Sequence, residues 1–573
     1  MVNGMSSTDL IVIGAGLYGV QAARTYLEIH PNDNVIIFEK SHALGGVWSP
    51  ERVYGAFWTQ TPVGMAEFSD QPLKSVPKEK QYYGYFPASY VTEYLVDYVD
   101  RHSFAGTSLS SRIVFGAAVV NLRKEDADWI VSVQRDGHDQ TWSSPKVIDA
   151  TGATSIPNIP VLPGRSQFRA LTIHHKEFGR SEILRNDKYK KIAVLGGAKS
   201  AADLSYAAAK AGKSVVWIIR KSGAGPAAFA PAKGGGLYKN SNESLYNRLV
   251  PNFLASYFAQ ENRLTRFLHN TNIGAKIFHL VWENIHRRAM RAANYDRSDG
   301  KSNGFHKLKP DTSIFWQNDS TGINQRPDFF DTIANNVHVF REDIERLSTD
   351  AIILADGTEL DTDALIYATG WKQSHPYIDD TLASDLGLPV SLEWDSRPNS
   401  TQRWDKLDKE AESTILQRFP VLAEPPTVYP WRQTTTPYRL HRTILPIHDH
   451  SIAFIGRVMM GNHFRNAEAQ SLWAVAALDG ALELPSTEDM ERDVAKTVSW
   501  CRKRYLSRGE LGNWFYWDLI PYTDMLLEDL HLRSHRKSGL KDLLAPCVAK
   551  DLRGLIDEYK VKRHISQEVS GMD

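Results

Sequence analysis

Residues Leu10 to Glu39 constrain the chain more than any other stretch. Leu10-Ile11-Val12-Ile13 is a short, β-branched apolar run, which predicts a parallel strand buried on both faces. Gly14-Ala15-Gly16-Leu17-Tyr18-Gly19 follows, then an Ala-rich amphipathic run, then Val35-Ile36-Ile37-Phe38-Glu39. In a G-x-G-x-x-G turn, Gly14 permits the tight bend and Gly16 lets backbone approach a pyrophosphate. Gly19 lets the next helix pack close to the sheet. The helix N-terminus turns N–H groups and partial positive charge toward the phosphates. Glu39 ends the second strand about twenty residues on, where an acid hydrogen-bonds a ribose hydroxyl and favours NAD or FAD over NADP.

A second unit repeats this plan with a different ending. Lys191 to Leu195 reads as a strand, Gly196-Gly197-Ala198-Lys199-Ser200 as the turn, and Ser214 to Ile219 as the next strand. Ala198 stands where the second glycine would be. The strand ends in Arg220-Lys221-Ser222 instead of an acid. Basic groups pair with a ribose 2′-phosphate, so Gly196, Lys199, Ser200, Arg220 and Lys221 read as an NADP site. Val147 to Gly152 and Ala364 to Gly370 are both apolar strands ending in Ala-Thr-Gly, where small residues let the chain pass a cofactor. These features predict an α/β chain with two Rossmann-like dinucleotide-binding domains, the second inserted into the first. The expected units are 1–185 (FAD, first part), 186–325 (NADP, with a helical insertion at about 225–320) and 326–573 (FAD, second part, with C-terminal helices).

Between these landmarks, Gly45-Gly46-Val47-Trp48 places paired glycines where backbone can lie against a flat cofactor. Tyr54 to Trp58 is dense in aromatics and suits a flavin wall, a substrate wall or core equally. Ala88 to His102 predicts a helix with Ser89 as its cap. Residues 113–149 predict a β-meander with a hairpin at Asp136-Gly137. Gly225 to Gly236 reads as a mobile small-residue loop. Ser244 to Asn294 reads as helices able to serve as a lid, a substrate wall or a homodimer surface. Gly461 to Arg465 reads as a loop near the cofactor, followed by Glu468, Gln470 and Trp473 on a helix.

Lys+Arg and Asp+Glu both number 67, so net charge offers no case for nucleic acid. The two cysteines, Cys501 and Cys547, give neither a disulfide framework nor metal spacing, and they are too far apart for a flavin disulfide reductase. They suit a reducing, cytoplasmic setting. No apolar run is long enough for a membrane anchor, and the N-terminus lacks the order of a signal peptide.

In this order the motifs resemble the class B flavoprotein monooxygenases, most nearly the flavin-containing monooxygenases. The resemblance rests on Gly14-x-Gly16-x-x-Gly19, Gly45-Gly46-x-Trp48, Phe68-Ser69-Asp70 and both Ala-Thr-Gly ends. It rests also on Phe168, Ala170, His174 and Phe178 of the family fingerprint, Phe454-Ile455-Gly456, and Glu468-x-Gln470-x-x-Trp473. It implies FAD at the first site, with Trp48 and Thr59 beside it, and NADPH at the second, with Thr369 and Gly370. It implies hydride transfer from NADPH, addition of O2 to give a C4a-(hydro)peroxyflavin, and oxygen transfer to a small organic substrate. The aromatic segments suggest an apolar or aromatic molecule of secondary metabolism. Gln60 stands where the family usually carries asparagine near the flavin, one methylene longer but with the same amide donor. Ala170 replaces a fingerprint glycine. Phe178 and Thr59 fit the flavin-containing branch. Arg326 sits where Baeyer–Villiger relatives hold a peroxyflavin anion, which keeps Baeyer–Villiger oxidation of a ketone as the alternative. Gln60 likewise keeps open an NADPH oxidase that releases hydrogen peroxide. Gln60 and Arg326 are thus the candidate catalytic residues, and His174 and Phe178 would sit at a hinge between domains.

Overall fold

The computed structural model describes residues 5–316, 321–394, 398–426 and 434–570, with backbone alone at 398–401 and 565–570. Residues 317–320, at the end of the expected insertion, lie outside the described residues. Two five-stranded parallel sheets organise the chain. The first runs Ile452–Phe454, Val147–Asp149, Leu10–Ile13, Val35–Glu39, Ile113–Phe115. The second runs Leu171–His174, Ala364–Tyr367, Lys191–Leu195, Ser214–Ile219, Val337–Arg341.

Each sheet is covered in the same way, and strand alternation shows why. Leu10, Val12, Ile37 and Ile148 face a core shared with helices Leu17–Ile29 and His463–Leu478. Ile11, Ile13, Phe38 and Val147 face the opposite core, with Trp129, Val131 and Val133 of an antiparallel meander. In the second sheet Ile192, Val194, Val215, Trp217 and Ile366 face helices Lys199–Lys210 and Phe329–Asn336. Ala193, Leu195, Ile218 and Leu365 face the antiparallel strands of 344–361. Continuous apolar runs were therefore required, because no face meets water. The hairpin at Asp136-Gly137 forms as expected, with φ of 50° and 77° at its two turn residues.

The chain leaves the first sheet after Asp149 and rejoins it at Ile452. The outgoing and returning segments pair with each other, Ile156 opposite Lys372 and Pro157 opposite Trp371. Strands from Leu171 to Tyr367 make one sheet, so the boundaries expected at 185/186 and 325/326 both fall inside it. The two Ala-Thr-Gly ends, at Gly152 and Gly370, precede these paired segments by a few residues or adjoin them directly.

Three local expectations need correction. Ser89 is the first residue of helix Ser89–Arg101, and Ala88 precedes it with no side-chain cap. Gly225 to Gly236 is not a surface loop: Ala227, Ala228 and Phe229 are buried, and Phe229–Pro231 pairs in parallel with Gly322–Asn324. Small side chains there serve close packing. His463, Phe464 and Arg465 belong to helix His463–Leu478, which Asn462 caps by accepting the Phe464 N–H at 3.0 Å.

The insertion packs both against the second sheet, whose core takes in Ala293, Tyr295, Phe305 and Leu308, and against the C-terminal part. Trp282 meets Trp517 edge to face at 5.8 Å. The Trp500 indole donates to Ala255 O at 2.7 Å, and Arg504 Nε donates to Leu254 O at 2.8 Å. Its helices are Ser241–Leu245, Arg263–Asn270 and Asn272–Ala293, capped by Asn240, Asn262 and Thr271.

Candidate functional site

The two glycine turns meet their sheets through the Ala-Thr-Gly ends. A Cβ on Gly14 (φ +100°) would lie 3.0 Å from Ala150 O, and one on Gly196 (φ +148°) would lie 2.3 Å from Ala368 O. A Cβ on Gly19 would lie 1.8 Å from Gly14 O, so the helix can approach the turn only with glycine there. Gly16 and Gly46 face each other: a Cβ on Gly46 would come within 3.2 Å of Gly16 Cα. Two bare backbones thus border one crevice, which fits the close passage of a dinucleotide pyrophosphate. Glu39 is buried. Its Oε2 accepts the Ala15 N–H at 2.9 Å and its Oε1 accepts the Ser41 N–H at 2.8 Å, and each oxygen keeps a second acceptor site for a ribose hydroxyl. Trp48 stacks on Phe57 at 5.7 Å. Tyr54, Phe57, Phe178 and Arg185 wall a separate cleft of about 340 Å³.

At the second turn Ser200 is the second residue of helix Lys199–Lys210, and Arg220 and Lys221 are exposed at the strand end. Lys221 Nζ is 3.6 Å from Glu342, and Ser222 Oγ donates to Asp343 at 2.6 Å. Lys199 does something different. It is largely buried, and its ammonium is held by Asp203 one helical turn on. Burial lowers its pKa against the opposing pull of Asp203. Arg326, 6% exposed, reaches the same carboxylate at 3.6 Å and donates to Ala56 O. Its guanidinium also lies 4.8 Å from the Tyr206 ring centre and 5.4 Å from that of Trp58. Asp203 was invisible as a site residue in the sequence, although its i,i+4 spacing from Lys199 was the available signal.

Arg326 is delivered to residues 56–60 by the strand Gly322–Asn324. Gln60 Oε1 accepts the Ile323 N–H at 3.0 Å, and Gln325 Nε2 donates to Thr59 O at 3.2 Å. Thr59 is fully buried, and its Oγ1 accepts the Phe86 N–H at 3.3 Å. Gln60 also borders a cavity of about 190 Å³ lined by Tyr246, Trp282, Ile285, Ile323, Tyr516 and Trp517. The lining contains no carboxylate and is mostly apolar or aromatic, with Gln60, Ser241, Asn242, Ser244, Arg288 and Thr321 as its polar members. No periodic pattern marked Tyr246, Trp282 or Trp517, because insertion and C-terminal part meet only in three dimensions.

His174 acts where the two connections cross. Its Nε2–H donates to Gly370 O at 3.0 Å while Nδ1 accepts the Lys176 N–H at 3.3 Å, which defines one neutral tautomer. Burial, with Arg52 and Lys176 nearby, lowers its pKa to about 4. The Thr369 hydroxyl donates to Asn158 O, so the second Ala-Thr-Gly end is fastened to the outgoing connection. A buried group unseen in the sequence fastens the first. Arg457 Nη2 donates to Asp149 Oδ1 at 2.8 Å and Nη1 to Gly152 O at 2.7 Å. That cation holds the Asp149 carboxyl well below the usual carboxylate range despite its burial.

Glu468 and Gln470 are fastenings too. Glu468 accepts the Ser69 N–H, and burial pushes its carboxyl up to about 8. Gln470 accepts the Gly456 N–H at 2.9 Å. Among the described residues no helix is long and apolar enough to cross a membrane, and no cluster of His, Cys, Asp or Glu is placed to hold a metal.

A family model described as flavin-binding monooxygenase-like matches residues 7–236. The FAD-dependent monooxygenase resA of Aspergillus sclerotiorum is 32% identical, over 98% of this chain and 100% of that protein. DEP4 of Alternaria brassicicola, also named an FAD-dependent monooxygenase, is 30% identical over 98% and 97%. Among solved structures, ε-caprolactone-bound cyclohexanone monooxygenase matches with a TM-score of 0.60 at 17% identity, over 91% of this chain and 98% of that one. The fold likeness, the glycine crevice beside Glu39 and end-to-end relatedness to these fungal enzymes agree, and the chain belongs to the FAD-dependent monooxygenase family.

Proposed function

We propose that the chain binds FAD along Leu10–Glu39 and NADPH along 191–222, and oxygenates a small apolar or aromatic molecule in the cavity beside Gln60. The observation that carries this reading is the cavity. It is mostly apolar, and Gln60 joins it to the junction where Thr59-Gln60 meets Ile323–Arg326. Residues 158–370 then form the NADPH unit, inserted into the FAD unit through the paired connections at 156–157 and 371–372.

When bound, the two cofactors supply hydride and electrons for the activation of O2. The chain's own residues do the rest. Gly16 and Gly46 admit the pyrophosphate, and Glu39 accepts from the ribose. Arg220 and Lys221 take the 2′-phosphate, with Lys221 exchanging Glu342 for the stronger anion. Ser200 and the helix N-terminus serve the NADPH phosphates, and Thr369 and Gly370 shape the passage beside them. Gln60 has its oxygen committed to Ile323, so it offers amide N–H donors to the reacting edge. Arg326, oriented by Asp203, stabilises negative charge that develops on oxygen. Tyr246, Trp282 and Trp517 keep water from the reacting atoms. Baeyer–Villiger oxidation of a ketone is the second reading, favoured by the buried position of Arg326.

FAD-loaded protein given NADPH, O2 and a panel of apolar sulfides, amines, aromatics and ketones tests both readings. NADPH use, hydrogen peroxide and oxygenated product are measured together. Oxygenated sulfide, amine or aromatic with little peroxide supports the first. Ester or lactone from ketone alone supports the second. Peroxide equal to NADPH consumed, with every compound, makes the protein an oxidase. No NADPH oxidation refutes the assignment of Arg220 and Lys221.

A further inference from the structure

The insertion carries a surface that the oxygenation chemistry does not use. Helix Asn272–Ala293 buries Gly274, Phe278, Trp282, Ala289 and Ala293, one stripe at helical spacing. At about 100° per residue the opposite stripe passes through Ile273, Ile277, Leu280, Asn284, Arg287 and Arg291. Ile273 is 67% exposed and Leu280 63%, and Ile277 is exposed as well. The preceding helix, Arg263–Asn270, adds exposed Leu264 and Phe267. The two helices touch on their buried side at Gly274, where a Cβ would lie 1.9 Å from Phe267 O; the contiguous exposed stripe is Ile273, Ile277 and Leu280, at i, i+4 and i+7 spacing, with Leu264 and Phe267 on the adjoining helix. The outward face is thus apolar in its first half and arginine-rich in its second. Scattered apolar residues are ordinary on a soluble surface, but a contiguous patch marks an interaction site.

Charge identifies the partner. Residues 263–293 contain six basic residues (Arg263, Arg266, Lys276, Arg287, Arg288, Arg291) against one acid, Glu283, for a net charge of +5. The whole chain balances 67 against 67. The acid already pairs with Arg287, at 3.1 Å. A second copy meeting this face by two-fold symmetry would set +5 against +5 across a contact of low dielectric. An anionic lipid surface suits it instead, since apolar side chains enter the headgroup region while arginines meet phosphates. Position adds a further reason. Val281, Ile285 and Arg288 of the same helix line the cavity, and Ile285 and Arg288 are themselves exposed. The cavity therefore opens beside the patch.

We propose that Leu264, Phe267, Ile273, Ile277 and Leu280 dock the enzyme on an anionic bilayer surface, with Arg287, Arg288 and Arg291 on its phosphates and the cavity mouth facing lipid. Docking is peripheral, and it lets apolar substrates enter from the membrane phase in which they accumulate. The part about substrate entry rests on the cavity assigned above; docking does not.

Flotation of the FAD-loaded full chain tests docking without any turnover. The vesicles are phosphatidylcholine, alone or with about one third phosphatidylserine. The expected result is flotation with anionic vesicles, weakened by salt, and little with neutral ones. Ile273→Glu/Leu280→Glu should lower the partition coefficient at least tenfold. Arg287→Gln/Arg291→Gln should lower it about fivefold per arginine. None of these four side chains lines the cavity, so NADPH oxidation in detergent-free buffer should be unchanged. Absence of flotation with anionic vesicles overturns the proposal, as does flotation that survives both double substitutions. A dimer in sedimentation velocity that Ile273→Glu/Leu280→Glu dissociates, without vesicle binding by the parent, assigns the face to a second copy and overturns it too. Failure of the substrate panel with intact flotation would refute the cavity reading alone.

Discussion

Asp203→Asn is the most revealing single change, because one buried carboxylate serves two buried cations. At 3.6 Å and an effective dielectric of about 20, the Arg326 attraction alone is roughly 5 kcal/mol before desolvation is counted. Removing the charge of a buried ion pair typically costs about 3–5 kcal/mol. The molecule has one escape. Burial and Arg326 both push the Lys199 pKa down, and Asp203 is what opposes them. In the variant the Lys199 pKa falls further, and since giving up its proton at pH 7 would cost about 3.4 pKa units at 1.36 kcal/mol each, the lysine's share of the loss is at most about 5 kcal/mol. The pH dependence follows. With the Lys199 pKa lower in the folded than in the unfolded chain, the unfolded chain binds more protons, so stability rises with pH toward about 10.4. The deficit of Asp203→Asn should therefore shrink between pH 7 and about 10. Adding Lys199→Met should restore most of the loss by leaving Arg326 as the one buried cation. Denaturant unfolding followed by circular dichroism at pH 7, 8 and 9 compares the parent with both variants. A cost under about 1 kcal/mol, or no recovery with Lys199→Met, would refute the shared-carboxylate account. Because Arg326 loses its orientation, the variant should also divert NADPH to hydrogen peroxide.

Gly46→Ala places a Cβ 3.2 Å from Gly16 Cα at a φ of +59°, and FAD should bind about tenfold more weakly, read as flavin retained per protein after gel filtration. Arg220→Ala and Lys221→Ala should each raise KM for NADPH by about tenfold while leaving kcat and the KM for NADH nearly unchanged; equal effects on both nucleotides would remove them from the 2′-phosphate site. Glu468, pushed up to about 8, is neutral when folded and ionises near pH 4.3 when unfolded. Its contribution is thus intact below about pH 4 and lost progressively up to pH 8. Glu468→Gln should abolish that decline, gaining on the parent by at most about 1.4 kcal/mol per pH unit in melts compared at pH 5 and pH 8.

Much of this architecture was legible because its parts are local. Each glycine turn, apolar strand and Ala-Thr-Gly end is a run of adjacent residues whose chemistry dictates one backbone path. What escaped is what only tertiary contact creates. Lys199 reads as part of the NADP site, but its pairing with Asp203, a carboxylate that Arg326 shares, was not legible, since Arg326 comes from more than a hundred residues away in the sequence. Gly225 to Gly236 looked loose because small residues suit both mobile loops and tight interiors, and its parallel pairing with Gly322–Asn324 decides for the interior. Which sheet each later strand joins was not legible, because Val337–Arg341 and Ala364–Tyr367 are apolar strands that either sheet could have taken. The cavity was unreadable, since Tyr246, Trp282 and Trp517 carry no pattern that ties them together.

The short ladder at Ile156 and Trp371 has a consequence for how such a chain can be rearranged. Both ends of the segment between them lie on adjacent strands, with His174 and Thr369 bonding them together again. The loop that this segment forms is therefore already closed, at a cost met within the fold. The remaining chain would need only a tight turn to bridge the gap. A segment attached in this way is exchangeable as a cassette: another unit with neighbouring ends could be spliced at the ladder, leaving the Gly16–Gly46 crevice in place.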